Sequence, residues 1–130
     1  MNENRKSQDV SDLSIRTKAF AVRIVKLYCA LPKSQEAQVI GEQLLRSGTS
    51  VGAHYREGRR SRSPAEFISK LELGTQELDE TKYWIELLID CDLVAQDRLM
   101  DLVAEADELI AMLVASVRTV KRNRDRSRPE

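Results

Sequence analysis

The sequence predicts an all-α fold, an antiparallel up-down-up-down four-helix bundle. Apolar residues recur every three or four positions along most of the chain, no segment alternates as a strand does, and the breaks between helical segments are short. At 130 residues the chain has the length of one domain, which can bury a core without disulfides. We therefore predict a bundle over residues 11–121, with disordered ends at residues 1–10 and 122–130, which lack apolar periodicity.

The first two helices are delimited by proline, serine and glycine. The first is predicted over residues 11–31 and ends at Pro32, which cannot continue a helix. The second begins after Ser34, whose hydroxyl suits a helix N-cap, and runs to about Glu57. Gly58 then provides the expected C-terminal exit.

The third helix has a strong start signal. Ser63 is a capping residue, Pro64 suits the first helical position, and Glu66 can reach back toward the cap. This helix is predicted to run to about Asp90 with a heptad-like apolar stripe from Phe67 to Leu88, and its exposed side carries acidic residues. The fourth helix, predicted over residues 96–120, has an apolar stripe wider than one helix contact demands. We therefore expect surplus apolar surface on the second and fourth helices, which self-association would cover.

Glycines fall near one face of the second helix, at Gly41, Gly48 and Gly52, with Tyr55 beside them. Each glycine costs a helix roughly 0.5–1 kcal/mol relative to alanine. We infer that this backbone packs tightly against a neighbour in the same chain or in another one. The alternative, that the glycines mark breaks in the helix, stays open. Trp84, at one edge of the third helix, joins these residues as a candidate for helix packing or a subunit interface.

The net charge of zero is the sum of unequal blocks. Residues 46–62 carry five basic and one acidic side chain, and residues 111–130 carry six and two, whereas residues 63–110 carry three and thirteen. Basic segments of this kind can meet an acidic surface of the protein or an external polyanion. Both possibilities stay open from charge alone.

The arginines of the first basic block are the main functional signal. Helical spacing places three of them on one face, and the last follows in the turn, so a cationic cluster is expected at one end of the bundle. Guanidinium groups bind phosphate oxygens without needing a particular base sequence. We predict RNA or DNA contact by a set that also includes the neighbouring histidine: Arg46, Arg56, Arg59, Arg60, Arg62 and His54.

Residues suited to catalysis or metal binding are scarce. His54 is the only histidine, and together with Cys29 and Cys91 it lacks the paired spacing of a zinc site. The acids of the third helix are interpreted as a solvated face. We therefore predict no enzymatic activity, no metal and no cofactor. Both cysteines lie in apolar helical patterns and are expected to be buried, reduced thiols of a cytoplasmic protein, and the sequence shows neither a secretory signal nor a membrane-spanning run.

Several short motifs resemble the four-helix-bundle proteins encoded in intervening sequences of bacterial 23S ribosomal RNA genes. The similarity covers roughly residues 18 to 115, with one difference at His54, where that family usually has Asn. The motifs are Leu44-Leu45-Arg46-Ser47, Thr49-Ser50-Val51-Gly52-Ala53, Tyr55-Arg56-Glu57-Gly58, Ala65-Glu66-Phe67-Ile68 and Glu77-Leu78-Asp79-Glu80-Thr81-Lys82-Tyr83-Trp84.

This resemblance implies an architecture and two functional hypotheses. Such proteins are similar to the accessory variability proteins of diversity-generating retroelements, and members of the group form homopentameric barrels associated with nucleic-acid binding. The first hypothesis is therefore a non-enzymatic homopentamer whose arginines engage RNA or DNA. The second is an adaptor that recognises a protein such as a reverse transcriptase, with the same arginines paired to the acidic third helix of a neighbouring subunit.

Overall fold

The computed structural model describes residues 2–127, with side chains from residue 13 onward, and contains four long α-helices. They are α1 (Asn2–Ala30), α2 (Gln35–Arg59), α3 (Pro64–Asp90) and α4 (Met100–Ser127), and a short 3₁₀ turn (Gln96–Arg98) precedes α4. No strand occurs within this described part of the chain. The predicted all-α class with four helices is therefore confirmed.

The first and last helices are longer than their apolar stripes predict. Helix α1 begins at Asn2 rather than near Ser11, and α4 continues to Ser127 rather than ending near Val120. The added segments lack glycine and proline and contain several good helix formers, so backbone propensity extends the helices beyond the buried stripe. The disorder predicted for residues 1–10 and 122–130 stays a prediction, and Met1 and residues 128–130 lie outside the described residues.

The helix starts follow the predicted caps. The Ser34 hydroxyl accepts the Ala37 N–H at 3.3 Å, and the Ser63 hydroxyl accepts the Glu66 N–H at 3.1 Å. The carboxylate of Glu66 reaches back as expected, but it accepts the N–H of Arg62 at 3.4 Å. These bonds satisfy backbone donors that have no partner inside the helix.

Gly58 does not form the C-terminal exit of α2 that the sequence predicted. It lies inside α2, which continues to Arg59, and no glycine in the described residues has a positive φ. A β-carbon at this position would lie 2.7 Å from Leu71 Cδ1, so the missing side chain leaves room for α3. The close contact between helices, and not a left-handed exit, accounts for this glycine.

One continuous core fills the space between the helices. Helix α2 packs most extensively against α3, α1 packs against α2, α4 packs against α3, and the contact between α1 and α4 is the smallest of these. The α3 stripe is buried from Leu71 to Leu88 as the heptad-like spacing predicts, although at its start Ile68 is buried and Phe67 only half-buried. Fully buried large side chains from all four helices are Phe20, Ile24, Leu44, Val51, Leu71, Leu78, Ile85, Leu88, Leu109 and Leu113.

Most of the exposed apolar surface lies outside α2 and α4, where it was predicted. The broad stripe of α4 is largely covered within the chain, because Val103, Ile110 and Met112 are partly buried against the core. Of the seven exposed large apolar residues among the described side chains, α2 and α4 carry one each, whereas three lie on α1: Ile15 (65% exposed), Val22 (44%) and Val25 (42%). With the exposed Ala19 and Cys29 they line the outer face of that helix, and we call these five residues the α1 stripe.

The prediction of buried thiols is also wrong. Cys29 and Cys91 are both free and exposed. Cys29 lies in the last turn of α1, and Cys91 is the residue that follows α3. Cys29 lies on the outer face of α1 and Cys91 lies in the turn after α3, so neither side chain points into the core.

The glycine face of α2 lies against α1 of the same chain. Added β-carbons would lie 2.6 Å from Leu31 Cδ1 at Gly41, 2.7 Å from Ile24 Cγ1 at Gly48, and 3.2 Å from Thr17 Oγ1 at Gly52. The two helices can approach closely because these positions carry no side chain. That approach brings the amino-terminal half of α1 to the carboxyl-terminal half of α2, where the basic residues cluster.

Arg16 connects α1 to α4, the pair of neighbouring helices with the least contact. Its Nη2 atom lies 2.6 Å from Glu105 Oε1 and 3.1 Å from Glu108 Oε2, and its Nη1 donates to Met112 Sδ at 3.3 Å. The hydrogen bonds to Glu105 and Glu108 raise the pKa of Arg16 above its ordinary value. This ion pair, with two carboxylates on one guanidinium group, helps to fix the position of α4 against α1 where their contact is small.

Candidate nucleic-acid interface

Four arginines lie together where α2 ends. Arg56 and Arg59 occupy its last turn, Arg60 caps the helix with an N–H bond to the Arg56 carbonyl, and Arg62 lies in the loop that leads to α3. All four are exposed. Among the side chains that the structure describes, no carboxylate lies within 4.0 Å of these guanidinium groups. We call these four residues the basic end.

Arg46 was grouped with them from sequence, but the structure places it elsewhere. It lies about 15 Å from Arg56 along the helix axis. Its Nη1 lies 3.3 Å from Glu77 Oε2, and its Nη2 pairs with Glu80. The same Glu80 oxygen accepts the indole N–H of Trp84 at 3.0 Å. Arg46 is thus paired with acids of its own α3.

Trp84 takes part in a second contact outside the core. Its ring meets the ring of Tyr83 edge-on, with centroids 4.9 Å apart, and Tyr83 is 54% exposed. Trp84 itself is half-buried. The two rings and Arg46 therefore form a surface on α2 and α3 that is separate from the basic end.

His54 is half-buried beside an acid–base pair. Its Nδ1 atom lies 3.9 Å from Glu57 Oε2, and Glu57 in turn lies 2.8 Å from the Lys70 ammonium. The hydrogen bond from Lys70 lowers the pKa of Glu57. His54 therefore faces the pair between α2 and α3, and it does not line the two hollows of the basic end described next.

The basic end contains a cationic hollow of about 410 Å³. Its walls are Arg56, Arg59, Arg60 and Ser14 of α1. The Arg59 guanidinium donates to the Ser14 hydroxyl at 3.0 Å, which orients it toward the hollow. Three guanidinium groups around one space suit an anion with several oxygen atoms, such as a phosphodiester.

An apolar hollow of about 490 Å³ adjoins the cationic one. Its apolar lining includes Tyr55, Pro64, Phe67 and Val120, and its polar lining includes Arg59, Arg62 and the hydroxyls of Ser61 and Ser63. Arg59 belongs to both hollows. Burial raises the pKa of Tyr55 although Arg59 acts in the opposite direction, so this ring is neutral near pH 7.

The carboxyl-terminal part of α4 reaches the same end of the bundle. Val120 lines the apolar hollow, and the basic residues Lys121, Arg122, Arg124 and Arg126 follow it directly. Lys121 forms an ion pair with Glu72 of α3, with 3.4 Å between Nζ and Oε1. Arg128, the last basic residue of the sequence, lies outside the described residues. The last arginines of the first basic block and the basic residues after Val120 thus lie at the same end of the bundle.

Sequence reasoning missed the apolar hollow and its neighbours. Phe67 was assigned to the core stripe, Val120 marked only a helix end, and Ser14 carried no signal. The loop composition around Pro64 could have indicated an exposed aromatic, since Phe67 follows it by one helical turn. No local pattern could have placed Val120 beside Arg59, because the contact joins distant parts of the chain.

The described residues contain neither a metal-binding cluster nor a membrane-spanning helix. No group of three or more His, Cys, Asp or Glu side chains there is arranged to hold a metal ion. None of the helices in that part of the chain has the length and apolarity needed to cross a membrane.

The four helices and the cluster of exposed arginines define a helical-bundle protein with positive charge concentrated at its basic end. The chain belongs to the 23S rRNA-intervening sequence protein family, whose sequence profile matches residues 11–115. It is also similar to a crystal structure described as a protein with unknown function from the S23 ribosomal protein family of Bacteroides thetaiotaomicron. The two share 35% sequence identity with a TM-score of 0.80, over 85% of this chain and 98% of that one. No curated protein matches this chain significantly.

Proposed function

We propose that this protein is a non-enzymatic, oligomeric nucleic-acid-binding protein that holds the phosphate backbone of RNA or DNA at its basic end. The observation that carries the proposal is the group of four exposed guanidinium groups without a described carboxylate partner. Such groups exchange counterions for phosphates, which supplies affinity without recognition of a base sequence. Arg46 and His54 contribute less, because their side chains face acids of the same chain.

The proposed architecture is an antiparallel up-down-up-down bundle that assembles as a homopentamer. Contacts between α2 and α3 support the antiparallel order, because Arg46 meets Glu77 while Glu57 meets Lys70. The α1 stripe supports self-association, since contiguous exposed apolar residues commonly mark an interface. The pentamer itself rests on the resemblance to proteins that form five-membered barrels. A ring of subunits would also repeat the basic end around one axis and so add avidity for a long polyanion.

The direct test of the proposal is a salt titration of binding. Fluorescence anisotropy with labelled RNA and DNA of random sequence would give the dissociation constant at several salt concentrations. The logarithm of affinity should fall with the logarithm of salt by roughly 0.9 for each phosphate contacted on a duplex and roughly 0.7 on a single strand, or about 2.7 for one subunit that holds three duplex phosphates. Absence of binding at low salt, or a slope near zero, would contradict the proposal.

A second candidate function is supported by the surface formed by Arg46, Tyr83 and Trp84. Tryptophan, tyrosine and arginine are the residues that most often dominate protein interfaces. This surface would let the protein act as an adaptor for a protein partner such as a reverse transcriptase. The salt titration separates the two functions, because the adaptor alone gives no steep loss of nucleic-acid affinity.

A further inference from the structure

The apolar hollow and the cationic hollow are adjacent and share one residue. Arg59 lines both, with Phe67, Pro64 and Val120 on one side and the Arg56 and Arg60 guanidinium groups on the other. A nucleotide has a matching division, since a flat base with two apolar faces is joined through its sugar to an anionic phosphate. From this juxtaposition we infer that the basic end binds unpaired nucleotides. The base would lie in the apolar hollow, and its phosphate would contact Arg59.

The chemistry of the apolar hollow favours a base over other occupants. Phe67 is half-buried, so part of its ring faces the hollow, and Arg62 at the rim can lie over a second flat surface. Aromatic rings and arginine planes are the groups on which unpaired bases stack, and this stacking tolerates any base. Ser61 and Ser63 also line the hollow and provide polar atoms near which the edge of a base can lie.

A regular duplex cannot use both hollows at once. Its bases are stacked and paired in the interior, so only its phosphates can reach the protein surface. A single strand, a loop or a bulge presents bases that can leave the stack. The inference therefore extends the proposed function, on which it rests, from nucleic acid in general to single-stranded or looped segments.

The experiment compares two single-stranded probes of equal length and charge on the wild-type protein, with a duplex as a third probe. The first is a labelled single strand, the second is the same strand with abasic sites in place of its bases, and the duplex is the first strand annealed to its complement. We expect the complete single strand to bind at least about fivefold more tightly than the abasic strand, the effect of one base–aromatic stack. The abasic strand and the duplex should both lose affinity as salt is raised, because phosphate contacts alone hold them, with a slope of roughly 0.7 for each phosphate of the strand and roughly 0.9 for each phosphate of the duplex.

Two variants then assign the preference to the hollow. Phe67→Ala removes the stacking surface and Val120→Met fills the space with a side chain that has no ring for a base to stack on, so each should bring single-strand binding toward the abasic level. Matched controls are Leu73→Ala, on the same helix, and Val39→Met on α2, because both residues are exposed and neither lines the hollow. The controls should keep the preference. Circular dichroism checks folding, and if Phe67→Ala loses helix content, Val120→Met and the abasic comparison decide.

Different outcomes separate this inference from the proposed function. Equal binding of the complete and the abasic single strands, with a steep salt slope for both, would overturn the unpaired-base inference and leave phosphate binding intact. A change in oligomeric state with an unchanged strand preference in both hollow variants would make the hollow a subunit contact, and would also overturn it. Failure of every probe to bind would remove the proposed function and the inference together.

Discussion

Replacing Gly48 by alanine should destabilise the protein by about 1–2 kcal/mol, although alanine is the better helix former. The added β-carbon would lie 2.7 Å from Cγ1 and 2.9 Å from Cγ2 of Ile24, which is fully buried. Ile24 cannot move aside in a packed core without displacing α1, so the clash outweighs the gain in helix propensity. Gly48→Leu should cost more, about 3 kcal/mol or above, because the longer side chain has no space at all.

Gly74→Ala provides the matched control on α3. A β-carbon there would lie 3.5 Å from Leu113 Cδ1 and 3.8 Å from the Val51 carbonyl oxygen, which are ordinary contacts. This substitution should stabilise the protein by roughly 0.5–1 kcal/mol, since it removes backbone freedom from the unfolded chain. Urea unfolding at fixed protein concentration measures both variants. An increase in stability on Gly48→Ala, like that expected for Gly74→Ala, would show that the close approach of α1 to α2 is misplaced.

Introducing a charge into the α1 stripe should dissociate the assembly. Val22→Asp and Val25→Asp each place an unpaired carboxylate on a surface that the proposed pentamer buries, which costs several kcal/mol at every subunit contact. We expect wild-type protein to sediment as an oligomer at micromolar concentration and both variants to sediment toward the 14.8 kDa monomer. Helix content should remain, because both residues are exposed in the single chain.

Val39→Asp is the control for this prediction. Val39 is 56% exposed on α2, so the same change in charge and size is made outside the stripe. It should leave the oligomer intact. A wild-type protein that sediments as a monomer would contradict the proposed assembly, and dissociation by all three variants would show that charge alone, and not the stripe, controls it.

The sequence predicted best those features that depend on local periodicity. The α3 stripe from Leu71 to Leu88 and the caps at Ser34 and Ser63 follow from spacing and hydrogen-bonding capacity within one helical turn. Glycine positions were also informative, because a helix keeps such costly residues where another backbone comes close. Gly58 was interpreted from local sequence as the end of α2. Its neighbour Leu71 comes from another helix, and this contact explains the glycine instead.

Features that depend on pairing between helices could not be predicted. Arg46 and Arg56 look equivalent in the sequence, yet the acids that hold Arg46 lie 31 and 34 residues further along the chain. The apolar hollow has the same origin, because Val120 meets Arg59 only after α4 has packed. The location of the exposed apolar surface could not be predicted for the same reason. The α4 stripe packs against two neighbouring helices, whereas α1 has an outer face with no described neighbour.

Substitution of the four arginines of the basic end should leave the fold unchanged. Glutamine keeps the length and hydrogen-bonding capacity of these side chains but removes the charge, and the four arginines have no described carboxylate partner to lose. Helix content and assembly should therefore stay at wild-type levels. The variant replaces four residues together: Arg56→Gln, Arg59→Gln, Arg60→Gln and Arg62→Gln.

A control with the same change in net charge is available away from the basic end. Lys26 and Arg98 line a hollow near the end of α1, and Arg23 and Lys33 are exposed on α1 and on the loop after it. The control variant replaces these four residues: Arg23→Gln, Lys26→Gln, Lys33→Gln and Arg98→Gln. It separates a localised phosphate site from a general effect of charge.

The affinity of these two variants for random-sequence RNA and DNA, measured against salt, tests the proposed function most directly. We predict that the basic-end variant loses at least about tenfold in affinity at low salt, and that its salt slope falls by roughly 0.9 for each phosphate contact removed. The control should keep a slope close to that of the wild type. Equal losses in the two variants, or unchanged binding by an intact basic-end variant, would contradict the assignment of nucleic-acid binding to the basic end.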